Sequence, residues 1–385
     1  MPASWVVSWG AALQHSENDD DPDLSGATLR QTIRVTLGGE QARLTLSHEY
    51  GRGPLHVADL AVARPDDGRA GAAGIEPGSS VPVTFDGGVG VVVTPGRRVT
   101  SDAFPLPVAA RENLTVTMRF APGQRLDGLT GHPGSRTTSH VAPAGDPVDR
   151  PRLRAAVPTP HWYVLAALEV PGPAQVAVFL GDSLTDGRGS TTDGNDRWPD
   201  QLLDRLDLSG VGFVNQAAGG NRVLRDGVGI AARHRLERDV LACAGATWLV
   251  VFEGVNDIGM ADATAAAQRA VGDELVAAYA DIIDRAHGQG LRVYGATITP
   301  FGGHGYDDPA GLREQTRARV NAWIRGSFDA VLDFAAAVRD PGDARRVRAE
   351  LHDGDGLHLN PAGYAALAAT VPPELFRIGA SGHRC

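Results

Sequence analysis

Ser183 is the first residue in this sequence whose type and setting could support covalent catalysis. It lies in a Gly-Asp-Ser-Leu stretch at residues 181–184, directly after an apolar run at residues 176–180. Such a run predicts a buried strand, and the turn after it presents side chains at the carboxyl edge of a sheet, where open α/β folds bind their ligands. A serine there is a candidate nucleophile, provided that a base and an oxyanion site can be found.

A histidine and an aspartate near the carboxyl terminus could supply the base. His358 follows Asp355 by three residues, just before a predicted helix start. In a loop, this spacing allows the histidine Nδ1–H to reach the carboxylate, which leaves Nε2 free to accept a serine proton. His352 and Asp353 lie close by and leave the assignment open. A solvated loop that caps the following helix is the alternative interpretation.

Two further segments could supply hydrogen-bond donors for an oxyanion. Residues 215–221 contain Gly219 and Gly220, and a glycine lets the backbone approach a ligand and direct an N–H at it. Asn256 follows an apolar run at residues 248–252, and an asparagine amide at a strand end can donate to a developing oxyanion. The alternatives are a tight turn for the glycines and an Asx turn or helix cap for the asparagine.

The order of predicted elements divides the chain into two parts. Residues 1 to about 160 contain short β-rich runs between Gly, Pro and Asp clusters, which predict an all-β sandwich or jelly roll. Residues 121–160, rich in Pro, Gly and Thr, predict a long surface connection. From residue 175 onward strands alternate with helices, which predicts an α/β fold with a mainly parallel, doubly wound sheet. We expect a β domain at 1–165 and an α/β domain at 172–385.

Composition and charge argue against several classes of function. The 385 residues carry a net charge of −10, which argues against nucleic-acid binding, and no apolar run is long enough to span a bilayer. Cys243 and Cys385 cannot build a disulfide framework. Neither a zinc signature nor a phosphate-binding loop occurs, so we expect no metal and no cofactor. Because no signal peptide is recognisable, we expect a cytoplasmic protein, or a secreted one if a signal was removed.

The motifs occur in the order serine, glycine, asparagine and histidine. In this order the sequence resembles the SGNH hydrolases, the GDSL esterase/lipase family, over residues 175–370 or so. The resemblance implies a flavodoxin-like doubly wound parallel sheet, and the β-rich first part is similar to the amino-terminal extension of some bacterial members. The roles that it implies are Ser183 as nucleophile, Asp355 and His358 as the rest of a catalytic triad, and Gly220, Asn256 and the Ser183 amide as the oxyanion hole.

The resemblance implies a serine esterase that acts through an acyl-enzyme on Ser183. The motif differs from the Gly-x-Ser-x-Gly of the α/β-hydrolases, because Thr185 occupies the position of the second glycine. Three alternatives stay open. They are an acyltransferase that uses the same acyl-enzyme, a lipase-like enzyme for longer acyl chains, and a non-catalytic glycan-binding protein on this scaffold.

Two loops near the motifs bear on the substrate. Residues 185–198 and 299–308 form short, polar, glycine-rich segments. They favour a small acyl group, such as acetyl, on a polar alcohol or a carbohydrate, with ordinary surface solvation as the alternative role for their side chains. The polar side chains available there are Arg188, Arg197, His304 and Tyr306. The sequence assigns no substrate-binding residue and no oligomeric state.

Overall fold

The chain folds into two compact units. The computed structural model describes residues 4–16, 21–124, 128–143 and 145–377, so Cys385 lies outside the described residues. The two units are Met1–Gly172 with Ser190–Asn195, and Pro173–Gly189 with Asp196–Cys385. The chain therefore passes between the units after residues 172, 189 and 195.

Within its described residues, the first unit contains β-strands and a short 3-10 helix, Asp66–Gly68. Its strands are β1 (Trp5–Gly10), β2 (Gln14–Ser16), β3 (Thr28–Arg34), β4 (Gly39–Ser47), β5 (Leu55–Ala63), β6 (Val81–Pro82), β7 (Val91–Val93), β8 (Arg98–Thr100), β9 (Phe104–Val108), β10 (Asn113–Phe120), β11 (Leu129–His132), β12 (Ser139–Ala142), β13 (Val157–Thr159), β14 (Trp162–Tyr163) and β15 (Leu165–Pro171).

Antiparallel sheets build the first unit. The strand orders are β1-β15-β4-β8, β13-β12-β3-β10-β5-β6 and β14-β11-β2, and β9 and β7 pair with β4 and β5. The alternation along β4 shows why its sequence forms such a strand. Ala42, Leu44 and Leu46 are fully buried, whereas Arg43 and Thr45 between them are half-buried. One face of the strand therefore packs into the core.

The prediction of a surface connection at residues 121–160 is wrong for much of that range. It contains β11, β12 and β13, and β12 pairs with β3 in the largest sheet. The buried side chains of these strands include Ser139 and His132, which break the apolar alternation that marks a strand in the sequence. β15 pairs with β1 and β4, so the last strand of the first unit extends to Pro171.

A short segment far along the chain also belongs to the first unit. Asp193, within Ser190–Asn195, accepts hydrogen bonds from the Thr138 N–H (2.6 Å) and the Thr138 hydroxyl (2.9 Å). The Asp193 N–H donates to the Arg136 carbonyl oxygen at 2.9 Å. These bonds fix the segment to the stretch before β12.

The second unit alternates strands and helices. It also contains a π-helix, Glu237–Leu241, and short 3-10 helices at Ala349–Leu351 and Pro373–Phe376. None of the helices in the described part of the chain is long and apolar enough to cross a membrane. The strands and α-helices are β16 (Gln175–Gly181), α1 (Ser183–Asp186), α2 (Trp198–Leu206), β17 (Val211–Ala217), α3 (Ala232–Leu236), β18 (Ala246–Phe252), α4 (Val255–Met260), α5 (Ala265–Gly288), β19 (Arg292–Ala296), α6 (Leu312–Ser327), β20 (Ala330–Leu332), α7 (Phe334–Val338) and α8 (Pro361–Thr370).

The sheet of the second unit is parallel, in the order β17-β16-β18-β19-β20. This is the flavodoxin-like order, so the predicted fold class is confirmed. The chain adds β17 on one side of β16 and β18 on the other, and ligands bind at such a switch point. Gly181 at the end of β16 is in register with Ala217 on one side and Phe252 on the other. The loops after these three strands therefore begin at the same edge.

Aromatic side chains anchor the helices to this sheet. The fully buried Trp198 of α2 lies edge-on to Phe179 of β16, with ring centroids 5.0 Å apart. It also lies 5.1 Å from Phe334 of α7, which in turn lies 5.0 Å from Phe252 of β18. Edge-to-face pairs at these distances add to the hydrophobic gain of burial. The strands whose ends carry the candidate site are therefore held in place by a tightly packed aromatic core.

Candidate active site

Ser183 begins α1 after a tight turn from β16. Asp182 caps the helix, because its Oδ1 accepts the Leu184 N–H at 2.9 Å. A Cβ on Gly181 would lie 2.8 Å from the Phe252 carbonyl oxygen, so the turn requires a glycine at that position. Ser183 is buried, with 7% of its surface exposed. The predicted strand and turn are thus present, and together with the short helix α1 they fix the position of the serine hydroxyl.

The structure brings Ser183, His358 and Asp355 together. Ser183 Oγ lies 2.9 Å from His358 Nε2, and His358 Nδ1 lies 2.6 Å from Asp355 Oδ2. The other carboxylate oxygen of Asp355 accepts the backbone N–H groups of Leu357 and His358, both at 2.8 Å. Because the carboxylate can only accept, His358 Nδ1 carries the proton and Nε2 faces the serine as an acceptor.

Electrostatics favour a neutral histidine beside an ionised aspartate. Burial lowers the pKa of His358 below 6.5, although the hydrogen bond and charge of Asp355 oppose this. Burial alone would raise the pKa of the Asp355 carboxyl, but hydrogen bonds from the His358 ring and from backbone N–H groups hold it well below its usual range. At neutral pH the imidazole is therefore free to accept a proton.

The neighbouring pair His352 and Asp353 lies outside this chain of hydrogen bonds. His352 Nδ1 accepts the backbone N–H groups of Gly354 and Gly356, at 3.0 and 3.2 Å, and so supports the loop. The Asp353 N–H donates to the His358 carbonyl oxygen at 2.9 Å, which closes the loop. Its exposed carboxylate does not bond to the His358 ring, but its charge raises the pKa of that histidine.

Gly220 and Gly219 differ in what their N–H groups contact. The Gly219 N–H donates to Asp186 Oδ2 at 2.9 Å, so it is already used. Within the described part of the chain, no acceptor bonds to the Gly220 N–H, and the same holds for the Ser183 N–H at the first position of α1. Gly220 has a φ of 72°, in the left-handed region that favours glycine. Gly220, rather than Gly219, therefore has an available donor.

Asn256 is buried in the first turn of α4 with its amide held at both ends. Its Nδ2 donates to the Asn221 carbonyl oxygen at 2.8 Å, and its Oδ1 accepts the Tyr306 hydroxyl at 2.9 Å. Among the described residues, no acceptor bonds to the second Nδ2–H, so this donor is available. The contact with Tyr306 is not apparent in the sequence, where Tyr306 is one of several polar residues in a loop.

Asp257 links the two segments that carry the oxyanion-type donors. Its two carboxylate oxygens accept the N–H groups of Val223 (2.8 Å) and Leu224 (3.0 Å), which follow the glycine turn. Burial raises the pKa of Asp257 to about 6 and that of the capping Asp182 to about 7. Sequence reasoning missed Asp257, although its place directly after Asn256 could have marked it as a positioning group.

Arg235 ties the same region to the sheet. It is buried, and its guanidinium donates to Asn221 Oδ1 at 2.9 Å and to the Gly181 carbonyl oxygen at 3.3 Å. Its Nη2 also lies 4.0 Å from the fully buried Glu253, whose pKa burial raises well above its usual value. Nothing in the local sequence pattern marks Arg235, because its partners lie on other elements.

The four polar loop residues expected near the site occupy different places. The His304 ring lies 6.3 Å from the His358 ring and 4.7 Å from the Tyr306 ring. Arg188 is exposed, and its charge lowers the pKa of His358. Arg197 is buried at the start of α2. The structure thus places His304 and Tyr306 together, beside the histidine of the serine–histidine pair.

Comparisons with known proteins give one family and several solved structures. The model of the GDSL-like lipase/acylhydrolase family matches residues 179–366. The chain is similar to a GDSL-like lipase from Bacteroides thetaiotaomicron (16% identity, 51% of this chain and 85% of that one, TM-score 0.38) and to a lipase/acylhydrolase from Enterococcus faecalis (21%, 51% and 92%, 0.36). It is also similar to an acetyl xylan esterase from Geobacillus stearothermophilus (20%, 52% and 94%, 0.39). No curated protein matches the chain.

Proposed function

From the membership of residues 179–366 in the GDSL-like lipase/acylhydrolase family, we propose that this chain is a serine esterase acting through an acyl-Ser183 intermediate. The observation that carries the proposal is the chain of hydrogen bonds from Ser183 Oγ through His358 to Asp355, at 2.9 and 2.6 Å. A serine hydroxyl is a weak nucleophile until an adjacent base removes its proton, and this arrangement supplies that base.

In the acylation step, Ser183 Oγ attacks the carbonyl carbon of the ester while His358 Nε2 takes the hydroxyl proton. The carbonyl π electrons move to oxygen and form a tetrahedral oxyanion. The N–H groups of Ser183 and Gly220 and the available Asn256 Nδ2–H donate to this oxygen. When the oxyanion collapses, the ester C–O bond breaks and the alcohol leaves with the proton from His358.

Deacylation repeats these steps with water. His358 takes a proton from a water molecule, whose oxygen attacks the acyl carbon and regenerates an oxyanion in the same place. Collapse breaks the bond to Ser183 Oγ, which recovers its proton from His358 and releases the carboxylic acid. Asp355 keeps the imidazole in the reactive tautomer and stabilises the imidazolium that forms twice in each cycle.

The proposed substrate is a short acyl ester, such as an acetyl ester, of a polar or carbohydrate alcohol. Polar side chains near the triad support it, namely His304 beside His358 and the exposed Arg188. A longer acyl chain is the second candidate. It is supported by Val228, which is 55% exposed and lies 3.2 Å from the place that a Cβ on Gly220 would take.

A panel of esters tests the reaction and separates the candidate substrates. p-Nitrophenyl esters from two to twelve carbons and acetylated sugars are assayed with wild type, Ser183→Ala and, as the matched control, Ser190→Ala. We expect Ser183→Ala to lower kcat by at least about 10³-fold, because a triad works as a unit, and Ser190→Ala to match wild type. Activity that survives Ser183→Ala would exclude the proposed nucleophile.

Two further measurements address the remaining alternatives. Product analysis with an added alcohol acceptor distinguishes a transferase, which forms a new ester, from a hydrolase, which releases acid. A fluorophosphonate probe should label wild type at Ser183 and leave Ser183→Ala unlabelled. Absence of labelling in wild type would favour a glycan-binding protein that lacks catalysis.

A further inference from the structure

The Tyr306 hydroxyl makes a hydrogen bond whose direction the geometry fixes. It lies 2.9 Å from Asn256 Oδ1, while Asn256 Nδ2 lies 2.8 Å from the Asn221 carbonyl oxygen. A carbonyl oxygen only accepts, so the amide atom that faces Asn221 must be nitrogen and the one that faces Tyr306 must be oxygen. Tyr306 is therefore the donor.

These two bonds determine the orientation of the Asn256 amide. An asparagine side chain offers two N–H donors and one oxygen, joined in a plane. The bonds engage the oxygen and one N–H, at opposite ends of the amide group. A rotation or flip of the amide would break at least one of them and leave a buried polar atom without its partner. The second N–H, which has no acceptor in the part of the chain that the structure describes, is thus held in one direction.

We propose that Tyr306 is a positioning residue for the oxyanion hole, which holds Asn256 so that its second Nδ2–H points at the oxygen where charge develops. The inference rests on the proposed function, which assigns that N–H to the oxyanion. Tyr306 also makes the remaining N–H a better donor, since a hydrogen bond to the amide oxygen draws electron density from the amide nitrogen. A preorganised donor of this kind stabilises the transition state more than the bound ester.

The surroundings of Tyr306 keep its ring in place. A Cβ on Gly259 of α4 would lie 2.2 Å from the ring, so the ring packs directly against the backbone of the helix that carries Asn256. The His304 ring meets it edge-on, and the Tyr306 N–H donates to His304 Nδ1 at 3.1 Å. Arg313 Nη1 donates to the Tyr306 carbonyl oxygen at 3.3 Å. The loop between β19 and α6 is therefore built around this side chain.

Tyr306→Phe tests the role, because it removes only the hydroxyl. We expect kcat for a short p-nitrophenyl ester to fall about 3- to 10-fold, the kinetic equivalent of one neutral hydrogen bond, with KM changed less than about twofold. The matched control is Tyr294→Phe, which removes a hydroxyl bonded to the Leu375 carbonyl oxygen at 2.6 Å and should leave kcat unchanged. If Tyr306 had only a structural role, Tyr306→Phe would lower the melting temperature, and kcat would not fall selectively while KM stays nearly constant.

A double-mutant cycle with Asn256→Ala decides whether Tyr306 acts through Asn256. The single variant Asn256→Ala should lower kcat by about 10²- to 10³-fold. Adding Tyr306→Phe should then cost no more than about twofold, because the side chain that it positions is gone. Losses that multiply in the double variant would overturn the proposal, and so would a Tyr306→Phe variant with the kcat of wild type.

The cycle separates this inference from the proposed function. If Ser183→Ala abolishes hydrolysis and Asn256→Ala impairs it while Tyr306→Phe is silent, only the role of Tyr306 fails. If Asn256→Ala is as active as wild type, the oxyanion assignment and the role of Tyr306 fail together, and the triad stands. If Ser183→Ala retains full activity, the proposed function itself fails.

Discussion

The base side of the candidate site, residues 355–358, and its oxyanion side, Gly220 and Asn256 with their contacts, are held in different ways. On the base side, Asp355 bonds to the His358 ring and to the backbone within the same short loop. On the oxyanion side, Asn256 depends on Tyr306, fifty residues away in the sequence, and on the loop after β17.

Because of this difference, we expect substitutions on the two sides to affect activity and stability in different proportions. A loop that supplies its own hydrogen bonds can lose a reactive group with little effect on the rest of the fold. Side chains such as Asp257 and Arg235 join separate elements, so their replacement should change stability and activity together. Chemistry and folding are thus separable on the base side and coupled on the oxyanion side.

The largest effect should come from Asp355→Asn, on the base side. The new amide group would donate to His358 Nδ1 and place the proton on Nε2, the wrong tautomer for a base, so kcat should fall about 10³- to 10⁴-fold. The amide oxygen of the variant can still accept the two backbone N–H groups that the carboxylate accepts, so the melting temperature should move by less than about 2 °C. Steady-state kinetics and thermal unfolding check both parts.

The matched control for this prediction is Asp353→Asn, the neighbouring exposed carboxylate. It should keep kcat within about threefold of wild type at neutral pH, because it touches neither Ser183 nor the His358 ring. A large loss of stability in Asp355→Asn would contradict the separation of chemistry from folding on the base side.

An intermediate effect should come from Asp257→Asn, on the oxyanion side. Its carboxylate accepts one N–H on each oxygen, and an amide can replace only one of them. A buried N–H without an acceptor costs about 1–3 kcal/mol, so the free energy of unfolding in urea should fall by that amount at pH 7.5. Because Asp257 joins the turn of Gly220 to the helix of Asn256, kcat should fall as well, by about tenfold.

Asp262→Asn is the control, since it replaces an exposed carboxylate just beyond α4 and should change neither quantity. An Asp257→Asn variant with wild-type stability and reduced kcat would show that the oxyanion side is no more coupled to folding than the base side.

The smallest effect concerns the pH dependence of kcat/KM. His358 must be neutral to act as base and its pKa is lowered by burial, so activity should be lost only as the pH falls through a value below 6.5. The charge of Arg188 lowers this pKa and that of Asp353 raises it. Arg188→Gln should therefore move the acid limb to higher pH, and Asp353→Asn to lower pH, each by a few tenths of a unit at most.

Salt provides the check on this pair of shifts. Both side chains are exposed, so about 1 M NaCl should bring the two variants and wild type together. Shifts of the same sign in both variants would show that the loop, and not the charge, had changed.

Local pattern predicts much of the fold. The β-rich run at 55–63 predicts a strand, and β5 has these bounds. The alanine-rich stretch at 263–288 predicts a long helix, and α5 spans Ala265–Gly288. The pattern does not predict the three strands at 121–160, because each is only three or four residues long and lies among many Gly and Pro residues typical of turns. It also predicts one helix at 235–244, whereas α3 ends at Leu236 and a π-helix follows it.

Whether the sequence predicts a residue of the candidate site depends on whether the contacts of that residue are local. Ser183 follows from a strand that ends in a glycine, and Asp355 and His358 follow from a spacing of three residues, because these relations are local. Tyr306 and Arg235 are not predictable in this way. Their partners are set by where strands and loops meet in the folded chain, and no spacing rule connects a residue to one fifty positions away.

The bonds of Asp193 affect how this chain could be divided or recombined. Because Ser190–Asn195 belongs to the first unit, that unit is discontinuous in sequence, and its last piece begins seven residues after Ser183. A variant that lacks residues 1–172 would also lack Thr138. The Asp193 carboxylate would then lose the N–H and hydroxyl groups that donate to it. No single breakpoint yields two exchangeable modules, so a chimera with a different amino-terminal part must also carry the segment 190–195 that matches it.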